Sequence, residues 1–406
     1  MTRRIMLVLA VCGLLPLAAR AAGPSAYVAN TLGETLSRID LTSGQVDHNI
    51  VVLGSDVNSA PNQVIVRDTM AYVINSTTDE LQCINLLTET TVGYVTFPSG
   101  SNPYAMAFYD DRYAYVTLLW NNSLAKVDVD TRQIVREDSI GISPGGLVIH
   151  DHKAYVGITA VSDEYVYGQG KLAIWDCRAD TLITCYNVGT NPNSLAVDGG
   201  GDIHVLCTGD YFSDFGISYI ISGAADVVSD SLPLGGSPGS IAIGPDNYAY
   251  CAAGGWVSVG NVFVYNAGTR EILYDSSRPL LVTKGCMAVA PFQDSTVMAI
   301  GFYDTVQVVN VHGGGSIKYA VGDGPVFADY NYRPGDITGD WMVDIGDLTR
   351  LIEYLFITFE PMPYPGWQGN VDGDFSIDVG DLTRVIEYLF LEGAGLRVGP
   401  TWLRFD

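Results

Sequence analysis

The 406 residues predict an all-β seven-bladed β-propeller followed by a small all-α domain built on a duplicated calcium loop. Three observations carry this reading. A short apolar motif recurs seven times at blade-sized spacing, the repeats begin and end out of phase, and two nearly identical acid-rich loops stand near the C-terminal end. Composition agrees, since 45 Gly and 24 Tyr among 48% hydrophobic and 16% charged residues favour short strands and turns and exclude intrinsic disorder. The formal charge of −24 repels phosphate backbones and anionic lipid, which disfavours nucleic acid as a partner.

Residues 1–21 read as an export signal. Thr2-Arg3-Arg4 is a short basic region, residues 5–17 are an apolar run, and Ala19-Arg20-Ala21 offers a small-x-small cleavage pattern. Val11 is bulky for a lipid-attachment reading at Cys12. No later segment reaches about 18 uninterrupted apolar residues, so no membrane span is expected. The expected destination is the periplasm, cell surface or exterior, by the Sec pathway.

The propeller is expected over 25–332. Its motif stands at Ala26-Tyr27-Val28, Ala71-Tyr72-Val73, Ala114-Tyr115-Val116, Ala154-Tyr155-Val156, Ile203-His204-Val205, Ala249-Tyr250-Cys251 and Val297-Met298-Ala299. Start-to-start spacings of 45, 43, 40, 49, 46 and 48 suit four-stranded blades. Each motif reads as the second strand of a blade, preceded by a short apolar run and a tight turn. The strands read as apolar on both faces, as sheets sandwiched between neighbours require. The chain enters on a second strand at Ala26 and ends its repeats on an orphan first strand at 326–328. Pairing these two closes the ring and removes two open edges.

Tyr27-Val28-Ala29-Asn30 and Tyr72-Val73-Ile74-Asn75 resemble the YVTN family of bacterial surface and periplasmic propellers. A Pro before most first strands (Pro61, Pro103, Pro144, Pro192, Pro238 and Pro325, with Gly285 in the remaining repeat) extends the likeness over about three quarters of the chain. The resemblance implies the fold and leaves the activity open.

Loops between second and third strands should share one face with the loops between blades. They are long in blades four, five and six, where Tyr165, Tyr167, Tyr211, Phe212, Phe215 and Trp256 occur, and Trp120 lies on the shorter loop of blade three. Exposed aromatics beside carboxylates suit sugar stacking or peptide docking. The same rings could instead pack on one another to stiffen long loops.

Six cysteines follow the leader without CxxC spacing and read as small apolar strand residues; Cys177 and Cys185 are out of register for a bridge. His150-Asp151-His152 falls at a tight turn and reads as solvent-exposed turn chemistry rather than a metal site. His204 falls within a second strand. No GxSxG, HExxH or P-loop occurs, so no catalytic residue is assigned.

Residues 335–392 contain the duplication, and 393–406 form a tail. Oxygen ligands at loop positions 1, 3, 5, 9 and 12, with a carbonyl at 7, can wrap one Ca²⁺. The first loop offers Asp336, Thr338, Asp340, the Met342 carbonyl, Asp344 and Asp347. The second offers Asn370, Asp372, Asp374, the Ser376 carbonyl, Asp378 and Asp381. Trp341 and Phe375 replace the usual position-6 Gly, and Thr338 replaces a carboxylate or amide, so the first of the two Ca²⁺ sites is expected to be weaker. Each loop should feed an EF-hand-like amphipathic helix, the first burying Leu348, Leu351, Ile352, Leu355 and Phe356.

Loop-helix pairs ending Asp-Leu-Thr-x-x-Ile-x-Tyr-Leu resemble a type I dockerin. This implies docking onto a cohesin-type partner, with Gly346 and Gly380 standing where dockerins often carry polar recognition residues. Alternatively, both loops hold Ca²⁺ only to fold a small domain against the propeller. Together these features predict an exported, non-catalytic binding or scaffold protein. The alternative is a polysaccharide-degrading hydrolase or lyase carried in a cellulosome-like complex.

Overall fold

The computed structural model describes residues 25–41, 43–244, 246–255, 259–293, 295–313, 315–331, 335, 337, 343–357, 369, 371 and 377–391. The expected export signal and the 393–406 tail lie outside these residues.

Seven antiparallel sheets form the blades. Their inner strands are Pro325–Asn331, Pro61–Arg67, Pro103–Phe108, Pro144–His150, Pro192–Val197, Pro238–Ile243 and Ala288–Gln293, for blades one to seven. Each inner strand packs on the next, and the seventh returns to the first. The ring closes where the sequence expects. Pro325–Asn331 pairs antiparallel with Ser25–Asn30, with Val28 opposite Ala328. The Ser25 amide also donates to Asn331 Oδ1 at 2.8 Å, tying residues 306 positions apart.

Proline begins six of the seven inner strands because it has no N–H to give the ladder, and each of these strands bulges immediately afterwards. Four prolines follow a non-glycine residue in the left-handed region: Ala60, Asn102, Ser143 and Asn191. The bulges leave Asn62, Tyr104, Asn193 and Gly239 outside the ladder at one mouth of the axis.

The motif tyrosine seals the gap between blades. Tyr115 donates to Asp180 Oδ1 at 2.5 Å across the seam between blades three and four, and Lys126 Nζ lies 3.1 Å from the same carboxylate. In the next seam Tyr155 donates to Asp226 Oδ1 at 2.7 Å, and Lys153 joins at 2.6 Å. Both aspartates sit in the left-handed region at the turn between third and fourth strands. Between blades five and six both positions change. His204 replaces the tyrosine and Arg270 the aspartate, with Nη1 3.1 Å from His204 Nε2. Asp198 Oδ2 lies 3.2 Å from the same nitrogen, and Tyr265 Oη lies 2.7 Å from Nδ1. Burial, reinforced by Arg270 and opposed by Asp198, holds the His204 imidazole below its ordinary range.

Several expectations are corrected. The outer strands Gln133–Ser139 and Val227–Pro233 are mostly exposed rather than apolar on both faces, because blades diverge from the axis and their rims lose their neighbours. Blade six has five strands, since Ile272–Tyr274 and Leu280–Thr283 both pair with Val259–Asn266. The six cysteines from Cys83 to Cys286 are free; five are buried, but Cys185 is exposed on an outer strand. The His150-Asp151-His152 turn is only partly exposed, and His152 Nδ1 lies 3.1 Å from Tyr109 Oη.

Near the C-terminal end the all-α expectation resolves into two short helices, α1 (Ile345–Ile352) and α2 (Val379–Phe390). They share a core of Ile337, Leu351, Val371 and Val385, two equivalent pairs from the duplication. The halves are not identical. A π-helical turn, Glu353–Ile357, follows α1, whereas α2 stays α-helical to Phe390; Phe356 is 55% exposed rather than buried, and so is its counterpart Phe390 at 61%.

Candidate functional site: an axial vestibule and its aromatic rim

The bulged residues line a cavity of about 390 Å³ at the mouth that carries the long loops. Asn62, Tyr104, Asn193 and Tyr211 give it polar groups, while Leu147, Met287 and Phe327 give it apolar wall. Among the described residues its lining holds no carboxylate, ammonium, guanidinium or imidazole. A relay of hydrogen bonds fixes the polar groups. Asn62 Nδ2 donates to the Tyr104 carbonyl at 2.7 Å, Tyr104 Oη to Asn193 Oδ1 at 2.6 Å, and Asn193 Nδ2 to the Gly239 carbonyl at 3.2 Å.

Tyr104 belongs to blade three and Asn193 to blade five, so the phenol crosses blade four. Glycine brings blades four and five close at this point. A Cβ on Gly146 would stand 2.6 Å from the Asn193 carbonyl oxygen. Burial pushes the Tyr104 phenol up to about 12, and burial with nearby Tyr211 does the same to Tyr167. Both therefore remain neutral donors near neutral pH.

The rim residues divide into two sets. Tyr167 and Tyr211 come together, with ring centroids 6.1 Å apart, and Tyr211 also lines the vestibule. Tyr165, Phe212 and Phe215 point outward, Tyr165 being 73% and Phe212 88% exposed. Trp120 is half-buried on its own loop, and Trp256 lies outside the described residues. The exposed rings stand on ordered backbone. Asp210 Oδ1 accepts from the amides of Phe212, Ser213 and Asp214 at 2.7–2.8 Å, and these bonds with the Ser213 hydroxyl hold its carboxyl well below the usual range. Val161 and Tyr167 bridge the base of the blade-four loop, which presents Tyr165 in the left-handed region.

Of the twelve calcium-ligand positions, Asp336, Thr338, Asp340, Met342, Asn370, Asp372, Asp374 and Ser376 lie outside the described residues. The other four form two matching pairs. Asp344 and Asp378 cap α1 and α2, accepting from Gly346 N at 2.6 Å and Gly380 N at 2.7 Å. Asp347 and Asp381 are fully buried and accept from Asp344 N and Asp378 N, each at 2.8 Å. A buried carboxylate beside a capping carboxylate in each repeat fits a calcium loop. No group of three or more ligating side chains assembles among the described residues.

Sequence reasoning missed the vestibule ring. Its signal was present at the position after each inner-strand proline, occupied by Asn62, Tyr104, Gly145, Asn193, Gly239 and Val326.

The fold has a counterpart among solved structures. The chain is similar to a chain of Kuenenia stuttgartiensis hydrazine synthase at a TM-score of 0.53 and 13% identity, covering 66% of this chain and 89% of that one. At that identity the likeness shows the propeller fold alone. No protein-family model matches the chain, and no curated protein matches it. No described helix is long and apolar enough to cross a membrane.

Proposed function

We propose that the protein is an exported, non-catalytic binding protein whose propeller, of YVTN type, holds a neutral hydroxyl-rich ligand, a carbohydrate, in the axial vestibule. The observation that carries this reading is the vestibule's chemistry: fixed amides and phenols, aromatic edges, and no charged side chain among the described lining residues. Sugars present hydroxyls that both donate and accept, with apolar ring faces that stack on aromatics. The outward rings of Tyr165 and Phe212 extend the surface for a polymer longer than the cavity.

The C-terminal pair is a calcium-dependent, dockerin-like plug that joins the chain to a cohesin-type partner. Its support is the repeated capping box and buried carboxylate in both halves. Ca²⁺ would be held by Asp344, Asp347, Asp378 and Asp381 with the remaining loop oxygens, and would offset their mutual repulsion.

A glycan array probed with the full chain in Ca²⁺ tests the propeller reading. One glycan class should be retained, and Tyr104→Phe and Tyr211→Ala should each weaken it by roughly tenfold with little change in melting temperature. Retention of no glycan, or binding indifferent to both substitutions, would overturn it. A pull-down with and without chelator tests the plug, which requires a partner released by chelation.

A further inference from the structure

Beneath the vestibule the axis narrows into a second chamber of about 170 Å³, and the two cavities share Gln63, Leu147, Leu195, Ile241, Val289 and Phe327. Ile65, Met106, Phe108, Ile149, Ile243 and Pro291 give the lower chamber an apolar wall. One carboxylate interrupts that wall. Asp329, on the closing strand, accepts from the Val66 amide at 2.8 Å through Oδ2 and from the Tyr330 amide at 2.9 Å through Oδ1. No Lys, Arg or His lines the chamber among the described residues. Two backbone amides leave acceptor capacity on both oxygens and supply no counter-charge.

An ionised carboxylate in apolar surroundings is costly unless a cation meets it. The chamber offers mostly apolar contact on its other sides and adjoins the vestibule along the residues the two share. We propose that the lower chamber is a binding site for a small aliphatic ammonium ion, its cationic head on Asp329 and its hydrocarbon body against Met106, Phe108, Ile149 and Ile243. The site is independent of the carbohydrate reading, which uses the vestibule. Burial raises the Asp329 carboxyl to about 7, opposed by the two amide hydrogen bonds. The ammonium form should therefore bind best above that pH and weaken below it.

Calorimetric titration of the full chain with cyclohexylamine and with its neutral counterpart cyclohexanol tests the site. At about pH 8 the ammonium ion should bind roughly tenfold or more tightly than the alcohol, and its affinity should fall as pH drops through about 7. Asp329→Asn should remove that preference and leave the alcohol unchanged. Ala107→Leu, which adds bulk to the lining and keeps the carboxylate, should weaken both probes, so the site remains testable if the Asn variant does not fold. Equal affinity for amine and alcohol, amine binding unchanged in Asp329→Asn, or no saturable amine binding would overturn the proposal. Loss of glycan binding in Tyr104→Phe with amine binding intact would separate the two sites.

Discussion

His204 and Arg270 face each other across the seam between blades five and six, 3.1 Å apart, where the two preceding seams place a tyrosine against an aspartate. The exchange is concerted. A phenol that donates to a carboxylate gives way to an imidazole that meets a guanidinium, with Asp198 and Asp202 supplying negative charge behind it.

Removing Arg270 should therefore expose this arrangement. Arg270→Ala is expected to cost about 2–3 kcal/mol in urea denaturation, because Asp198 and His204 stay buried without their cation. The penalty should shrink at lower pH. Arg270 helps hold the imidazole pKa down, so without it the folded-state pKa of His204 rises. A folded pKa below the unfolded value of about 6.5 costs stability as pH falls through that value, and a smaller depression costs less, so the variant loses less than the parent there.

The Tyr115–Asp180 contact predicts a coupled pair. Tyr115→Phe and Asp180→Ala should each destabilise by about 1–2 kcal/mol, and a double-mutant cycle should return a coupling energy of about 1 kcal/mol. An additive result would mean that Lys126 alone holds the Asp180 carboxylate.

Gly157 lies one residue before the end of the second strand of blade four, where a Cβ would stand 2.1 Å from the Pro192 carbonyl oxygen. Gly157→Ala should cost about 2–3 kcal/mol as a backbone overlap that side-chain rotation cannot relieve. Gly239→Ala, which meets nothing within 4 Å, is the control and should be close to neutral.

Asp329 sets a pH dependence on the whole ring. Its folded pKa is raised from 3.8 to about 7, so the folded chain binds a proton that the unfolded chain has already lost. The stability it contributes is complete below about pH 4 and disappears as pH rises to about 7. Asp329→Asn should flatten this slope in melting temperatures recorded across that window, and should melt higher than the parent at about pH 8.

Calcium titration of the full chain should reveal two sites, with the weaker abolished by Asp347→Asn and the stronger by Asp381→Asn. Equal affinities would show that Thr338 does not weaken the first loop, and a single site that survives Asp347→Asn would show that the first loop holds no ion.

The blade count, the closing strand and the proline at the head of each inner strand were all legible in the sequence, because each follows from periodicity or from a missing N–H. The seam contacts were half legible. The motif marks Tyr115 and Tyr155, but their partners Asp180 and Asp226 lie on the following blade, at a distance local spacing does not encode. Asp329 carried no signal at all, since it falls one residue past the expected 326–328 run and only the closing of the ring places it inside. Phe356 shows a different limit: helical spacing puts it on the apolar face, yet it and its counterpart Phe390 lie at the end of that face, beyond the reach of the small shared core.

The closing strand also imposes an order of assembly. Ser25–Asn30 lacks an inner neighbour until Pro325–Asn331 reaches it, and loop-closure entropy makes that contact among the slowest to form. Asp329 travels on the arriving strand. A chain interrupted before residue 325 would thus retain six complete sheets yet possess neither a sealed ring nor an acidic chamber, and its open edge would be available to a neighbouring molecule.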